Sequence, residues 1–453
     1  MNGAELTALY LEEVKRSGVR PTELCDDSHL ASEDIRNFYS GKLLTRPLFL
    51  GGPEWQQLQT DLANLRSALV RLPDRLYGGD LAAFARDIGM TEVQVSAILR
   101  SRAAEVTRQF RADMYADRTG FKVLELNLGS AIGGIDASDL CHMMLQHPVL
   151  AEFARTHRLG YGDTMRGQVT DMFVETGFPR DRRPVMATTD WPSSFETLEP
   201  FMRHFTGRLR DLGIDAYPCH IKQLELRDGR VWLGDKPVDI IQRLFMLEDL
   251  LDNPEAAAMM DPVLDAVARG EVRIFTPMDA ELFASKGALA MLSDEQSRAK
   301  CTPEELASLD RILPWTRMIR PGPATLEDGW VEDLVDYAIS HQHDLALKPT
   351  SLHGGEGVLL GWRPEVDRET WEERVRAAVD GPYVVQRRIR PVPELFPSDE
   401  GDPTPWLVTW GVFSMVEGYT GVYARAMPVE SDVEVVTFSA GAYSTGCLHV
   451  LPD

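Results

Sequence analysis

The stretch FRADMYADRTGFKVLELNLGSA, residues 110–131, places an Arg-x-Asp and a Glu-x-Asn on either side of one tight turn. Arg118, Thr119 and Gly120 read as a three-residue hairpin loop, with the glycine in the left-handed position that lets two antiparallel strands close. Pairing then sets Asp117 opposite Phe121, Tyr115 opposite Val123, Asp113 opposite Glu125 and Arg111 opposite Asn127. Because side chains alternate along a strand, Arg111, Asp113, Glu125 and Asn127 share one face, while Ala112, Met114, Ala116, Leu124, Leu126 and Leu128 share the other. The second face is apolar enough for a core, and a one-residue slip would break both patterns at once.

Two neighbouring carboxylates repel unless a proton or a cation intervenes. Oxygen donors from Asp113, Glu125 and the Asn127 carbonyl suit Mg2+, which takes few protein ligands and completes its shell with water and phosphate oxygens. Arg111 beside them fits a phosphate or a transferring phosphoryl group. The same four residues would equally make a solvated hairpin face with an arginine–carboxylate ion pair.

Around the hairpin, 453 residues with 44% apolar content are enough for two to four lobes with substantial cores. The five cysteines are far apart, odd in number and lack a C-x-x-C pair, which favours reduced thiols over a disulfide framework or a zinc site. A net charge of −23 argues against nucleic acid or an anionic membrane as the main partner. No run approaches the length of a membrane span, and the amphipathic start lacks a basic region and cleavage site, so a cytoplasmic protein is expected.

Residues 1–105 read as a helical N-terminal region. In EWQQLQTDLANLRSALVRLP the leucines Leu58, Leu62, Leu65, Leu69 and Leu72 line one helical face ahead of Pro73. Residues 106–180 and 391–453 read as a catalytic sheet that includes the hairpin. Residues 181–275 read as a small α/β domain with a partly parallel sheet: RPVMATTD is a strand, and Phe195, Leu198, Phe201, Met202, Phe205, Leu209 and Leu212 line a helix stopped by Gly213. Residues 276–390 read as a lid of helices and strands.

The lid region carries LALKPTSLHGGEGVLLG, residues 345–361, where Lys348 ends a strand before Gly354, Gly355 and Gly357. A lysine with a glycine loop offering its amides makes a nucleotide clamp, although the spacing is not that of a P-loop. A glycine hairpin beside a solvated lysine is the plainer reading, as is a snorkelling surface lysine for Lys286 in LFASKGALAML.

Together these segments resemble the ATP-grasp ligases of the glutathionylspermidine synthase type, whose circularly permuted order puts the metal-binding strands ahead of the nucleotide lid. Those proteins carry Arg-x-Asp, then Glu-x-Asn and a small Ser-Ala pair, as do Arg111, Asp113, Glu125, Asn127, Ser130 and Ala131 here. The resemblance covers roughly residues 105–450. It extends to Lys286 at the start of the lid, Lys348 before the glycine loop, the hinge strand YVVQ ending at Gln386, and DKPVDIIQRLF ending near Arg243. It departs where Arg387 follows Gln386 in place of an acidic residue. Arg425, in GVYARAMP, stands where a basic residue lies near the family's phosphates, and by itself reads as an exposed strand arginine. The amidase domain of bifunctional members is not expected, since only Cys25 and His29 form a nearby pair in the region ahead of the hairpin.

The resemblance implies an α/β (α+β) chain with an ATP-grasp fold of permuted element order, a small α/β pre-grasp domain and a helical N-terminal region. It also implies ATP and Mg2+ as cofactors: Asp113, Glu125 and Asn127 at the metal, Lys286, Lys348, Gly354, Gly355, Gly357 and Gln386 at the nucleotide, and Arg111 and Arg425 as catalytic residues, with Arg111 at the developing acyl phosphate. The lid around His353 to Gly357 would close over the nucleotide, excluding water. The implied reaction is ATP-dependent amide formation between a small-molecule carboxylate and an amine. The alternatives are a ligase that charges a carrier protein or peptide, and a nucleotide-binding regulator without turnover.

Overall fold

The computed structural model describes the whole chain except residues 252–254, 328, 353–354, 432–434 and 453. Its central feature is an antiparallel sheet whose strands lie in the order Tyr443–Thr445, Gly418–Pro428, Thr404–Met415, Phe110–Asp117 and Gly120–Leu128, with Glu394–Phe396 paired to Thr404–Met415. The opening hairpin is therefore continued by strands drawn from the far end of the chain.

The hairpin register holds at its polar end, where Arg111 faces Asn127 and Asp113 faces Glu125. It then shifts between Asp113 and Met114, so that Met114 faces Val123 and Asp117 faces Gly120. The loop is a two-residue turn, Arg118 and Thr119, in place of the three expected; Thr119 N and Oγ1 both donate to Asp117 Oδ1 at 2.7 Å. The shift leaves Leu124 as the extra residue of a bulge, and bulges turn side chains locally. Val123 takes the core position that alternation alone assigned to Leu124, while Leu124 lines a cavity.

Four strands, Arg273–Phe275, Ile240–Arg243, Val185–Asp190 and Asp215–His220, form a separate sheet that is parallel throughout. The helix Pro192–Asp211 packs on it, beginning with a proline whose missing N–H costs nothing in a first turn. Gly213 follows its end with φ of +89°, as expected of a glycine stop. Met202, Phe205 and Leu209 are buried, but Leu198 is exposed.

A second antiparallel sheet, in the order Thr316–Met318, Tyr383–Arg387, Leu345–Pro349 and Leu359–Leu360, has its own apolar core around Trp371, Val375 and Leu347. In the N-terminal region the helix Gly52–Val70 buries Leu58, Leu62, Leu65 and Leu69, each contributing about 1.5–3 kcal/mol by leaving water. Leu72 and Pro73 belong to the next helix, Leu72–Tyr77, so Pro73 starts a helix instead of ending one. One strand, Leu48–Leu50, interrupts the helical region and pairs in parallel with Cys447–Val450. Among the described residues no helix is long and apolar enough to cross a membrane.

Candidate active site

The polar face of the hairpin meets the second antiparallel sheet across a cavity of about 500 Å3. Asp113, Glu125, Lys286, Lys348, Gln386 and Arg425 all line it, together with Gly355. The volume lies within the range of small-molecule and cofactor sites, roughly 300–1,000 Å3.

Asp113 is almost fully buried and heavily engaged. Arg111 holds it in a fork, Nε to Oδ1 at 2.7 Å and Nη2 to Oδ2 at 2.9 Å, and Arg425 Nη2 donates to Oδ2 at 2.7 Å. Asn127 Nδ2 approaches the same oxygen at 3.4 Å. Burial works to raise the Asp113 carboxyl, but the two guanidinium charges outweigh it and hold the group below the usual carboxylate range. Arg425 is buried, contrary to the reading of an exposed strand arginine.

Arg111 is not on the cavity wall. Behind Asp113, its Nη1 donates to the carbonyls of Ile132 and Gly133, which leaves it placed to orient the carboxylate, while Arg425 faces the cavity. Gly411, opposite Asp113 on the neighbouring strand, makes room for this: a Cβ there would stand 2.9 Å from Arg111 Cδ and 2.6 Å from the Tyr423 carbonyl oxygen. No local signal marks Gly411, because its importance comes from two strands distant in sequence.

Both lysines are buried, which corrects the surface readings of Lys286 and Lys348. Lys286 begins the helix Lys286–Ser293; its Nζ lies 3.2 Å from Glu125 Oε2 and donates to the Leu352 carbonyl at 2.8 Å. Lys348 Nζ donates to Gln386 Oε1 at 2.6 Å and to the Leu124 carbonyl at 3.3 Å, and Gln386 Nε2 donates to Thr316 Oγ1 at 3.0 Å. Burial is the main influence that lowers the Lys348 pKa to about 8; Lys286 lowers it further and Glu125 opposes. Gln386 is thus an interior tether for Lys348 as well as a cavity residue. Arg387, which follows Gln386, pairs with Glu327 at 3.0 Å, and Arg388 lies over the Trp362 ring at 4.4 Å.

Gly355 and Gly357 have φ of +86° and +69°, values that glycine adopts without strain. A Cβ on Gly355 would meet the Val435 side chain at 3.2 Å, so the glycine turn lies close against the C-terminal strand region. His353 and Gly354 lie outside the described residues.

Among the described residues no three His, Cys, Asp or Glu side chains gather into a cation cage. The hairpin offers two carboxylates and a carboxamide, and Asp113 already balances two guanidinium groups. Such a set fits a cation that arrives with phosphate oxygens, which would supply the remaining ligands and attract the cationic side chains.

No protein-family model matches the sequence, and no curated protein does. Among solved structures, the chain is similar to the apo form of a glutathione synthetase-like effector from Globodera pallida, at 13% identity over 90% of each chain with a TM-score of 0.57. It also aligns with a Methylobacillus flagellatus protein provisionally designated gamma-glutamylcysteine synthetase, at 11% identity over 85% of each chain and a TM-score of 0.42. D-cycloserine synthetase aligns at 15% identity over 55% of this chain and 76% of its own, with a TM-score of 0.27. The first likeness shows a shared α/β fold of the ATP-grasp type, as the hairpin and lid segments led one to expect. The other two are too distant to add to it. None of these three is a glutathionylspermidine synthase, and at 13% identity the likeness to the Globodera pallida protein is one of fold.

Proposed function

We propose that the chain is an ATP-dependent carboxylate–amine ligase, which forms an amide through an acyl phosphate and releases ADP and phosphate. The convergence on one cavity of Asp113, Glu125 and Arg425 from one sheet, Lys348 and Gln386 from another, and Lys286 from the start of a helix carries this reading. A partly apolar cavity with carboxylates on one side and lysines on the other suits a metal-bound nucleoside triphosphate. The synthetase-like designation of the Globodera pallida protein agrees with it.

In this reading Asp113, Glu125 and Asn127 hold Mg2+, and Lys286, Lys348 and the glycine turn hold phosphates. The nucleotide would supply the phosphoryl group, and the metal would neutralise its charge. Lys348, tethered by Gln386, presents its ammonium at a fixed point. Arg425 faces the cavity and is the side chain placed to stabilise negative charge on a reacting acyl group. Arg111 is a positioning residue that fixes Asp113, in place of the direct contact with the acyl phosphate first expected of it. No side-chain nucleophile is required. The domain limits fall at 1–105, 106–180 with 391–453, 181–275 and 276–390, and the substrates are a small-molecule acid and amine handled in the cytoplasm.

The test is ADP release from Mg-ATP with pools of carboxylic and amino acids, hydroxylamine being present to trap acyl phosphate. A hydroxamate identified by mass supports the reading and names the acid. ATP binding without ADP from any pool, carrier proteins included, would favour a regulator and remove the ligase assignment.

A further inference from the structure

The cavity of the candidate active site has cationic side chains at two ends. Lys348 marks one, on the strand Leu345–Pro349. Ala346, facing Leu360 on the neighbouring strand, follows on the same wall, and just before the strand Arg388 N donates to the Asp344 carbonyl at 2.7 Å. Lys348 and Asp344 are four residues apart, about 13 Å of extended chain. Ala346, Leu360, Ile389 and Leu407 line the cavity with apolar surface.

Four arginines, Arg363, Arg387, Arg388 and Arg390, also line it. Three of them meet a carboxylate: Arg363 Nε donates to Glu365 Oε1 at 2.9 Å, Arg387 Nε stands 3.0 Å from Glu327 Oε2, and Arg390 Nη2 donates to Asp344 Oδ1 at 2.7 Å. Arg388 has no ion-pair partner among the described residues. Its Nη1 donates to the His343 carbonyl at 3.3 Å, and its guanidinium lies over the ring of Trp362, another residue of the cavity wall. The edge formed by Nε and Nη2, the same edge by which Arg111 holds Asp113, has no partner among the described residues. The side chain is half-buried, and neither nitrogen is sealed from solvent.

A guanidinium edge with both donors unused, lying over an indole, suits a planar ligand that offers two adjacent acceptors. The reacting acid does not bring them here, because its carboxylate has to meet the phosphoryl group at the end marked by Lys286, Lys348 and Arg425. The base of the nucleotide does, being the part remote from the phosphates. Guanine presents O6 and N7 side by side, which an arginine edge satisfies as a bidentate pair, whereas adenine presents N7 beside a 6-amino group that is itself a donor. We infer that the cavity takes guanosine triphosphate at least as readily as adenosine triphosphate, with Arg388 donating to O6 and N7 of the base. The inference rests on the ligase reading for the presence of a nucleoside triphosphate in this cavity, and it widens the choice of nucleotide.

The test is isothermal titration of the full chain with the Mg2+ complexes of GTP, ITP, 7-deaza-GTP and ATP, without acid or amine. GTP and ITP, which share O6 and N7, should bind at least as tightly as ATP, and 7-deaza-GTP, which lacks the N7 acceptor, about three- to tenfold more weakly than GTP. Arg388→Met, which removes the donors and keeps an unbranched chain over Trp362, should lower the ratio of GTP to ATP affinity more than about fivefold. ATP binding more than about tenfold tighter than GTP to the unaltered chain would overturn the inference and leave the ligase reading standing. Equal binding of GTP and 7-deaza-GTP, or an unchanged ratio in Arg388→Met, would do the same. Binding of none of the four would remove both. The comparison of GTP with 7-deaza-GTP needs no variant, so it decides the matter even if Arg388→Met fails to fold.

Discussion

Arg425 Nη2 donates to Asp113 Oδ2 across 2.7 Å, joining side chains 312 positions apart in the chain. The contact makes Asp113 the shared anion of two arginines, largely buried at the wall of the cavity. It couples the stability of the central sheet to the charge arrangement of the cavity.

Asp113→Ala should therefore do two things at once. Losing the carboxylate leaves Arg111 and Arg425 buried without their counterion, which costs about 3–5 kcal/mol of stability. ADP formation should fall more than about 100-fold, the scale of losing one preorganised charge in an active site. Urea unfolding and ADP release measured on one preparation check both; normal Mg2+-dependent turnover would remove Asp113 from the proposed metal site.

Lys348 gives a pH prediction with a definite sign. Its pKa falls from 10.5 in the unfolded chain to about 8 in the fold, so between these values the unfolded chain binds more protons and stability rises with pH. The rise should total about 3 kcal/mol, and Lys348→Met should abolish it. Denaturation of both proteins from pH 7 to 10.5 is the measurement. Because phosphate charge favours the protonated lysine, kcat/KM for ATP should decline above pH 8 while kcat stays level to higher pH.

Gln386→Leu removes the acceptor of Lys348 Nζ and the donor to Thr316 Oγ1. Leaving those buried groups unpaired should cost about 1–3 kcal/mol. With Lys348 no longer held in place, the KM for ATP should rise more than kcat falls. A nucleotide titration with a melting curve separates the two effects, and an unchanged KM would exclude the tether role.

Gly411→Ala tests the packing behind the site. The added methyl meets the Tyr423 carbonyl oxygen at 2.6 Å, and backbone cannot move aside as a side chain can. Overpacking of this kind should cost about 1–3 kcal/mol and displace Arg111. A melting temperature equal to that of the unaltered chain would show that the sheet opens without strain.

Much of the hairpin is legible in the sequence because its information is local. Alternation places Arg111, Asp113, Glu125 and Asn127 on one face, and the paired strands keep the register at that end. The leucine spacing in residues 58–69 similarly implies a buried helical face, since a period of 3.6 needs only near neighbours to be read. The bulge at Leu124 escapes this reading, because alternation assumes an unbroken ladder.

What lies across the site is a different matter. Nothing near Lys286 in the chain shows that Glu125 will neutralise it, and nothing near Gln386 shows that it will hold Lys348 from the adjacent strand. Arg425 reads as exposed until the strand Thr404–Met415 inserts between it and the hairpin, placing Gly411 opposite Asp113. The sequence alone determined the periodic elements and the residue types able to bind metal and phosphate, because both depend on spacing within a few residues. Only the tertiary structure decided which charges are buried together, because that balance of desolvation and pairing arises only when distant segments exclude water from a common interior.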